Sequence, residues 1–208
     1  MEMLDASSDP RAHEWIVRLG LSLDTVRDVL LFGDAEAATY TTYDANGAGE
    51  MARWSRHVRR MSELLVPQGW KRIDPLNQPT LVHPSGEHSI VVTSGTSLTG
   101  TAYGVPKTKN PKGRSIREAV RGNAELALMR PDEVDPDLSG LRETWILLTH
   151  ADPNGRLQAE LSLPSEMEGE QIGGWLRRIL LPTISPSRIP EPKGDDGPAS
   201  YEFSVARK

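Results

Sequence analysis

The chain has 208 residues, 37% of them hydrophobic, a formal net charge of −5 and no cysteine. The length suits one large domain or two small ones and leaves room for a real core. The missing cysteine excludes disulfides, thiolate nucleophiles and cysteine-based zinc or iron–sulfur sites, and the acidic average means that any polyanion must be held by a local basic patch.

Met1–Asp5 has neither a basic nor an apolar segment of the secretory type. The longest apolar runs, such as Trp145–Leu148, are too short to span a bilayer. The expectation is a cytoplasmic protein with no membrane partner.

Asp9-Pro10 predicts a helix start, with Asp9 as the cap and Pro10 in the first turn. That helix directs Trp15, Ile16 and Leu19 inward and ends at Gly20. A second helix is expected from Asp24, interrupted at Gly33, with a weaker helical piece over 35–43. Asn46–Gly49 marks a turn. The strongest helical periodicity follows: Met51, Trp54, Val58, Met61 and Leu65 recur at steps of three and four. Arg53, Arg56, His57, Arg59 and Arg60 are assigned to the opposite, basic side, and Pro67 and Gly69 close the helix.

Short strands are expected at 69–73 and 80–83, then a turn at 84–87 and a β-branched strand at 88–93. A long polar loop covers 94–114, a length more typical of functional or mobile segments than of plain connections. Ser115 and Glu118 have capping-box spacing, predicting a helix over 115–128 that buries Ile116, Ala119, Val120 and Leu128. An acidic connector occupies 131–137. A second hairpin is expected from 144–149 and 157–163 around the turn at 152–155. Residues 171–178 read as a short helix weakened by Gly173-Gly174, 180–181 as a possible strand start, 183–199 as a poorly ordered loop, and 201–206 as a final strand.

The expected fold class is therefore α+β. A helical N-terminal part precedes an antiparallel sheet of two hairpins plus a C-terminal strand, with one capped helix crossing between the hairpins. Residues 1–66 form the helical region, separate or within the same domain, and 67–208 the α+β domain. No stretch resembles a known family closely enough to name one.

Two basic clusters are the candidate sites. Lys107, Lys109, Lys112, Arg114 and Arg117, with Arg121, surround the start of the expected 115–128 helix and meet one acid there, Glu118. Free backbone N–H groups and the helix dipole make such a position attractive to phosphate. Arg53, Arg56 and Arg60 form a second line, and arginine favours bidentate phosphate contacts. The plain alternative for both is a solvated charged face.

The other motifs carry less. Gly95–Thr101 has the glycine spacing of a phosphate-binding loop, but Thr101 stands where the lysine belongs. His83, His88, His150 and Asp152 sit beside hairpin turns without a metal-ligand spacing. No Glu-x-Lys nuclease pattern and no Gly-x-Ser-x-Gly elbow occurs. Trp70, Trp175 and Tyr103 are the aromatic residues best placed by sequence for base stacking.

Three readings follow. The leading one is a non-enzymatic nucleic-acid- or phosphate-binding accessory protein, with DNA or RNA as partner and no cofactor or metal. The second is an adaptor docking an acidic protein. The third is a metal-dependent hydrolase built on His83, His88, His150 and Asp152.

Overall fold

The structure, a computed structural model, describes residues 1–128 and 142–186. Its centre is one seven-stranded mixed sheet in the order β1-β7-β6-β5-β4-β3-β2. The strands are β1 (Glu2–Asp5), β2 (Lys71–Ile73), β3 (Thr80–Val82), β4 (His88–Ser94), β5 (Glu143–Ala151), β6 (Leu157–Glu168) and β7 (Gln171–Leu180). The helices are α1 (Pro10–Arg18), α2 (Leu23–Ala37), α3 (Ala48–Leu65) and α4 (Arg114–Leu128).

This corrects the expected antiparallel α+β arrangement to an α/β one. The two hairpins exist, as β3–β4 and β5–β6. They are fused into one sheet because β4 and β5 pair in parallel, Ile90 opposite Trp145 and Val92 opposite Leu147. Parallel neighbours need a crossover, and the loop 95–113 with α4 supplies it. A second parallel pair closes the other edge, with β1 beside β7 and Leu4 opposite Ile179.

Layers form on both faces of the sheet, which explains the unbroken apolar runs of β4 and β5. Ile90, Val92, Trp145 and Leu147 face the core shared with α1, α2 and α3. Val91, Ile146 and Leu148 face Ile116 and Val120 of α4. Asn123 anchors α4: its buried side-chain amide donates to the carbonyls of Thr144 (2.9 Å) and Pro164 (3.1 Å), and its oxygen accepts from Thr144 N–H (2.8 Å).

The expected start of α1 holds, and several other local expectations change. Asp9 caps α1 through the Arg11 N–H, with Pro10 in the first turn. Helix α2 runs through Gly33 without interruption. A Cβ at Gly33 would stand 2.2 Å from the His57 ring, so this glycine is a notch that admits His57, and α3 does not carry that residue on an exposed basic face. Helix α4 begins at Arg114, and Glu118 pairs with Arg114 (2.7 Å) rather than closing a capping box. Residues 171–178 are strand β7, not helix.

Of the loop expected at 183–199, residues 183–186 are described, and Ile184 there is buried and bridges Leu157. The acidic connector at 131–137 and the strand expected at 201–206 lie outside the described residues. Among the described residues no helix is long and apolar enough to cross a membrane.

Candidate functional site

The carboxyl ends of β4 and β5 lie side by side, and two of the molecule's hollows meet there. Parallel strands tend to place ligand crevices at this end. A cleft of about 380 Å³ is lined by Gly47, Glu50 and Trp54 of the α3 region, Thr93 and Ser94 of β4, and Lys112 of the crossover loop. A cavity of about 60 Å³ adjoins it, lined by Arg53, His57, Ser94, Lys109, Thr149 and His150. Glu50 and Ser94 border both.

The crossover loop reaches this position because it is fastened along the sheet. Gly95 bridges Thr108, and Lys109 N–H returns to the Ser94 carbonyl at 2.8 Å. Further along, Thr108 N–H reaches Ile172, Lys112 N–H reaches Glu170, and the Trp175 indole donates to Pro106.

Its far side is held by a buried ion pair. Arg178 and Glu160 are both 0% exposed and joined at 2.6 and 2.9 Å. The remaining Arg178 N–H groups donate to Gly104 (3.0 Å) and Thr101 (3.1 Å), while Gly100 N–H and the Ser162 hydroxyl donate to Glu160. Every charged atom of the pair is thus answered, the condition for tolerating it in the interior. The Gly95–Thr101 stretch is accordingly a packed loop: a Cβ at Gly95 would meet Leu148, and one at Gly100 the Ala159 backbone.

The two basic clusters meet at the cleft, but only through some of their members. Arg53 comes from α3, and Lys109 and Lys112 from the loop. Lys109 pairs with Glu50. Arg53 donates to Asp34 at 3.1 Å, and its Nε–H has no partner among the described residues.

Lys112 differs from the others. Its ammonium donates to the Thr93 hydroxyl at 2.5 Å, and among the described residues no carboxylate pairs with it. Burial without a counter-charge pushes its pKa down to about 8.

The other sequence candidates are neutralised elsewhere. Arg56 pairs with Glu36, Arg60 with Asp28 and Glu63, Lys107 with Glu168, Arg114 with Glu118 and Arg117 with Glu170. Most of these acids are distant in sequence, which is why the loop reads as unpaired when only its own residues are considered.

The histidines do not assemble. His83 and His88 stack at 4.4 Å against Trp70, at the opposite end of β4 from the cleft. His150 lies at the cleft end of β5, where burial lowers its pKa, and Asp152 pairs with Arg156. Among the described residues no group of three or more metal-ligating side chains occurs. Trp70 and Trp175 are 4% exposed and belong to the core, leaving Tyr103 exposed on the loop.

Sequence reasoning missed three contributors to the site. Trp54 is fixed as a wall of the cleft by its indole N–H to Val92 O (3.0 Å). His57 is buried, with its Nε2 3.4 Å from Leu30 O and its Nδ1 without a partner among the described residues; burial brings its pKa down to about 4. Glu50 borders both hollows. The one sequence signal for His57 is the helical phase it shares with Val58 and Met61 rather than with Arg59. The chain matches no family model, no curated protein and no solved structure.

Proposed function

We propose that this protein binds a small phosphate-bearing molecule in the cleft at the carboxyl ends of β4 and β5. The observation that carries this reading is Lys112: a part-buried ammonium in a ligand-sized cleft, hydrogen-bonded to Thr93 and without a carboxylate partner among the described residues. An incoming anion supplies the missing counter-charge and returns the lysine toward its ordinary pKa. Lys109 and Arg53 stand beside it, but each is already paired, with Glu50 and Asp34, which leaves Lys112 to carry the charge.

The size of the cleft and the pairing of the surrounding cations favour a small ligand over a nucleic-acid backbone. A polyanion track needs a row of free cations, and Arg56, Arg60, Lys107, Arg114 and Arg117 all have acidic neighbours.

Isothermal titration with inorganic phosphate, alongside fluorescence anisotropy with labelled DNA and RNA across a salt series, tests the reading. The expected result is phosphate binding that disappears in Lys112→Met. Tight, steeply salt-dependent oligonucleotide binding that survives Lys112→Met would restore the nucleic-acid reading, and no phosphate binding at all removes the proposal.

A further inference from the structure

The cleft that holds Lys112 also has an apolar wall. Met51 and Trp54 stand one turn apart on α3, on the same side of the helix, and both line the cleft. Met51 is 65% exposed. Trp54 is half-buried, packed against the main core on one side and bordering the cleft on the other. Large apolar groups left open at a ligand-sized hollow mark a place for an apolar part of the ligand.

Strand β4 brings this wall close to the lysine. β3 meets β4 at Ser89 and Ile90, and the cleft opens where β4 runs on past that neighbour. The Trp54 indole N–H donates to the Val92 carbonyl (3.0 Å), and the Lys112 ammonium donates to the Thr93 hydroxyl (2.5 Å). The two anchors are consecutive residues, with Cα atoms about 3.8 Å apart. An aromatic wall and an ammonium without a carboxylate partner among the described residues thus lie within the span of one small ligand.

The lining narrows the chemistry of that ligand. A sugar phosphate satisfies Lys112 but leaves Met51 and Trp54 facing water. An alkyl phosphate covers them but makes no use of the carboxamides of Asn46, Gln78 and Asn110, which border the same cleft. A carboxamide donates and accepts at once, which matches the mixed edge of a nucleobase. An indole is a surface on which bases stack. About 380 Å³ is at the small end of ligand pockets, which suits a single nucleotide rather than a strand.

We propose that the ligand is a nucleoside monophosphate, with its phosphate at Lys112 and its base against Trp54. The proposal rests on the phosphate reading above and names the ligand class for that site.

The test is a calorimetric comparison on the full chain using inorganic phosphate, ribose 5-phosphate, AMP and GMP. Ribose 5-phosphate and AMP differ by the base. The nucleotides should bind at least about tenfold more tightly than ribose 5-phosphate, the gain expected from one base stacked on an aromatic side chain. In Trp54→Leu that ratio should fall toward one, and in Trp54→Phe, which keeps an aromatic face, most of it should remain.

Equal affinity of the native protein for ribose 5-phosphate and both nucleotides overturns the proposal and leaves phosphate binding standing. An unchanged ratio in a folded Trp54→Leu protein overturns the placement of the base. Failure of all four compounds to bind overturns both readings. The native-protein comparison decides by itself, so a variant that does not fold leaves no shelter for the idea.

Discussion

Replacing Arg178 by Met should cost more stability than any other single exchange near the site, and should loosen the loop that carries Lys109 and Lys112. Arg178 and Glu160 are 0% exposed, so removing the guanidinium strands a carboxylate in the interior. Breaking a buried pair from one side costs about 3–5 kcal/mol. Glu160 keeps its bonds from Ser162 (2.7 Å) and Gly100 (2.8 Å), which stabilise the orphaned charge and argue for the lower part of that range. Against this, the carbonyls of Thr101 and Gly104 lose their donors. A net loss of about 3–4 kcal/mol is expected, which for a domain of this size lowers the melting temperature by roughly 6–15 °C.

Urea denaturation measures the loss, and amide hydrogen exchange locates it. Protection should fall first over 100–108. The double variant Arg178→Met/Glu160→Leu removes the stranded charge and should recover part of the deficit, not all, because Gly100 N–H and the two carbonyls still lack partners. A loss under about 1 kcal/mol with unchanged exchange over 100–108 would refute the view that this pair fastens the loop.

Three further outcomes are expected. His57 holds a pKa of about 4 in the fold against 6.5 when unfolded. The unfolded chain therefore binds the extra proton between those values, and stability falls as pH drops from 6.5 to 4. The full effect is about 3 kcal/mol, and His57→Gln should flatten that part of the pH–stability curve while the smaller slopes from His88 and His150 remain.

Lys112 holds a pKa of about 8 against 10.5. Its burial thus penalises the folded state below pH 8, and the penalty vanishes as pH rises to 10.5. Lys112→Met should be more stable than the native protein at pH 7 by roughly 1–2 kcal/mol after allowance for solvent at a part-exposed site, which thermal unfolding at pH 7 and 10.5 would compare. Gly33→Ala places a Cβ 2.2 Å from the His57 ring and 2.8 Å from the Arg53 carbonyl. It should destabilise by about 1–3 kcal/mol in urea titrations.

Local signals in the sequence led to the right elements, and the non-local ones decided the fold. Asp9-Pro10 marks α1, and the β-branched run at 88–93 and the alternation at 157–163 mark strands, because capping and periodicity act within a few residues. The strand–helix–strand succession 88–93, 115–128, 144–149 already has the form of a parallel crossover, yet each strand also has a hairpin partner nearby, and the hairpins are the louder signal.

Residues 171–178 read as a short helix even though Gly173-Gly174 weakens helix and strand propensity alike. In the sheet those glycines make room for Glu168 and Glu166, whose side chains occupy the space a Cβ would fill. Lys109, Lys112 and Arg53 were already visible as basic residues. That Lys112 has no acid beside it among the described residues, and that His57 turns inward, depends on Glu50, Glu168, Glu170 and Gly33, each far along the chain from the residue it affects.

The position of the site follows from the one departure from antiparallel order in the middle of the sheet. Pairing β4 with β5 in parallel brings two carboxyl ends together and forces the chain to leave β4, pass along the α4 side and return. The fastened loop therefore delivers Lys109 and Lys112 to the strand ends from one side of the sheet, while α3 delivers Arg53 and His57 from the other. A ligand held at Lys112 bridges the loop and α3, which already meet through the Lys109–Glu50 pair. Binding of this kind should stabilise the whole domain by mass action, about 2.7 kcal/mol at a ligand concentration one hundred times Kd. An Arg178→Met protein, whose loop must be re-ordered before it can bind, should recover less from the same concentration of ligand than the native protein gains.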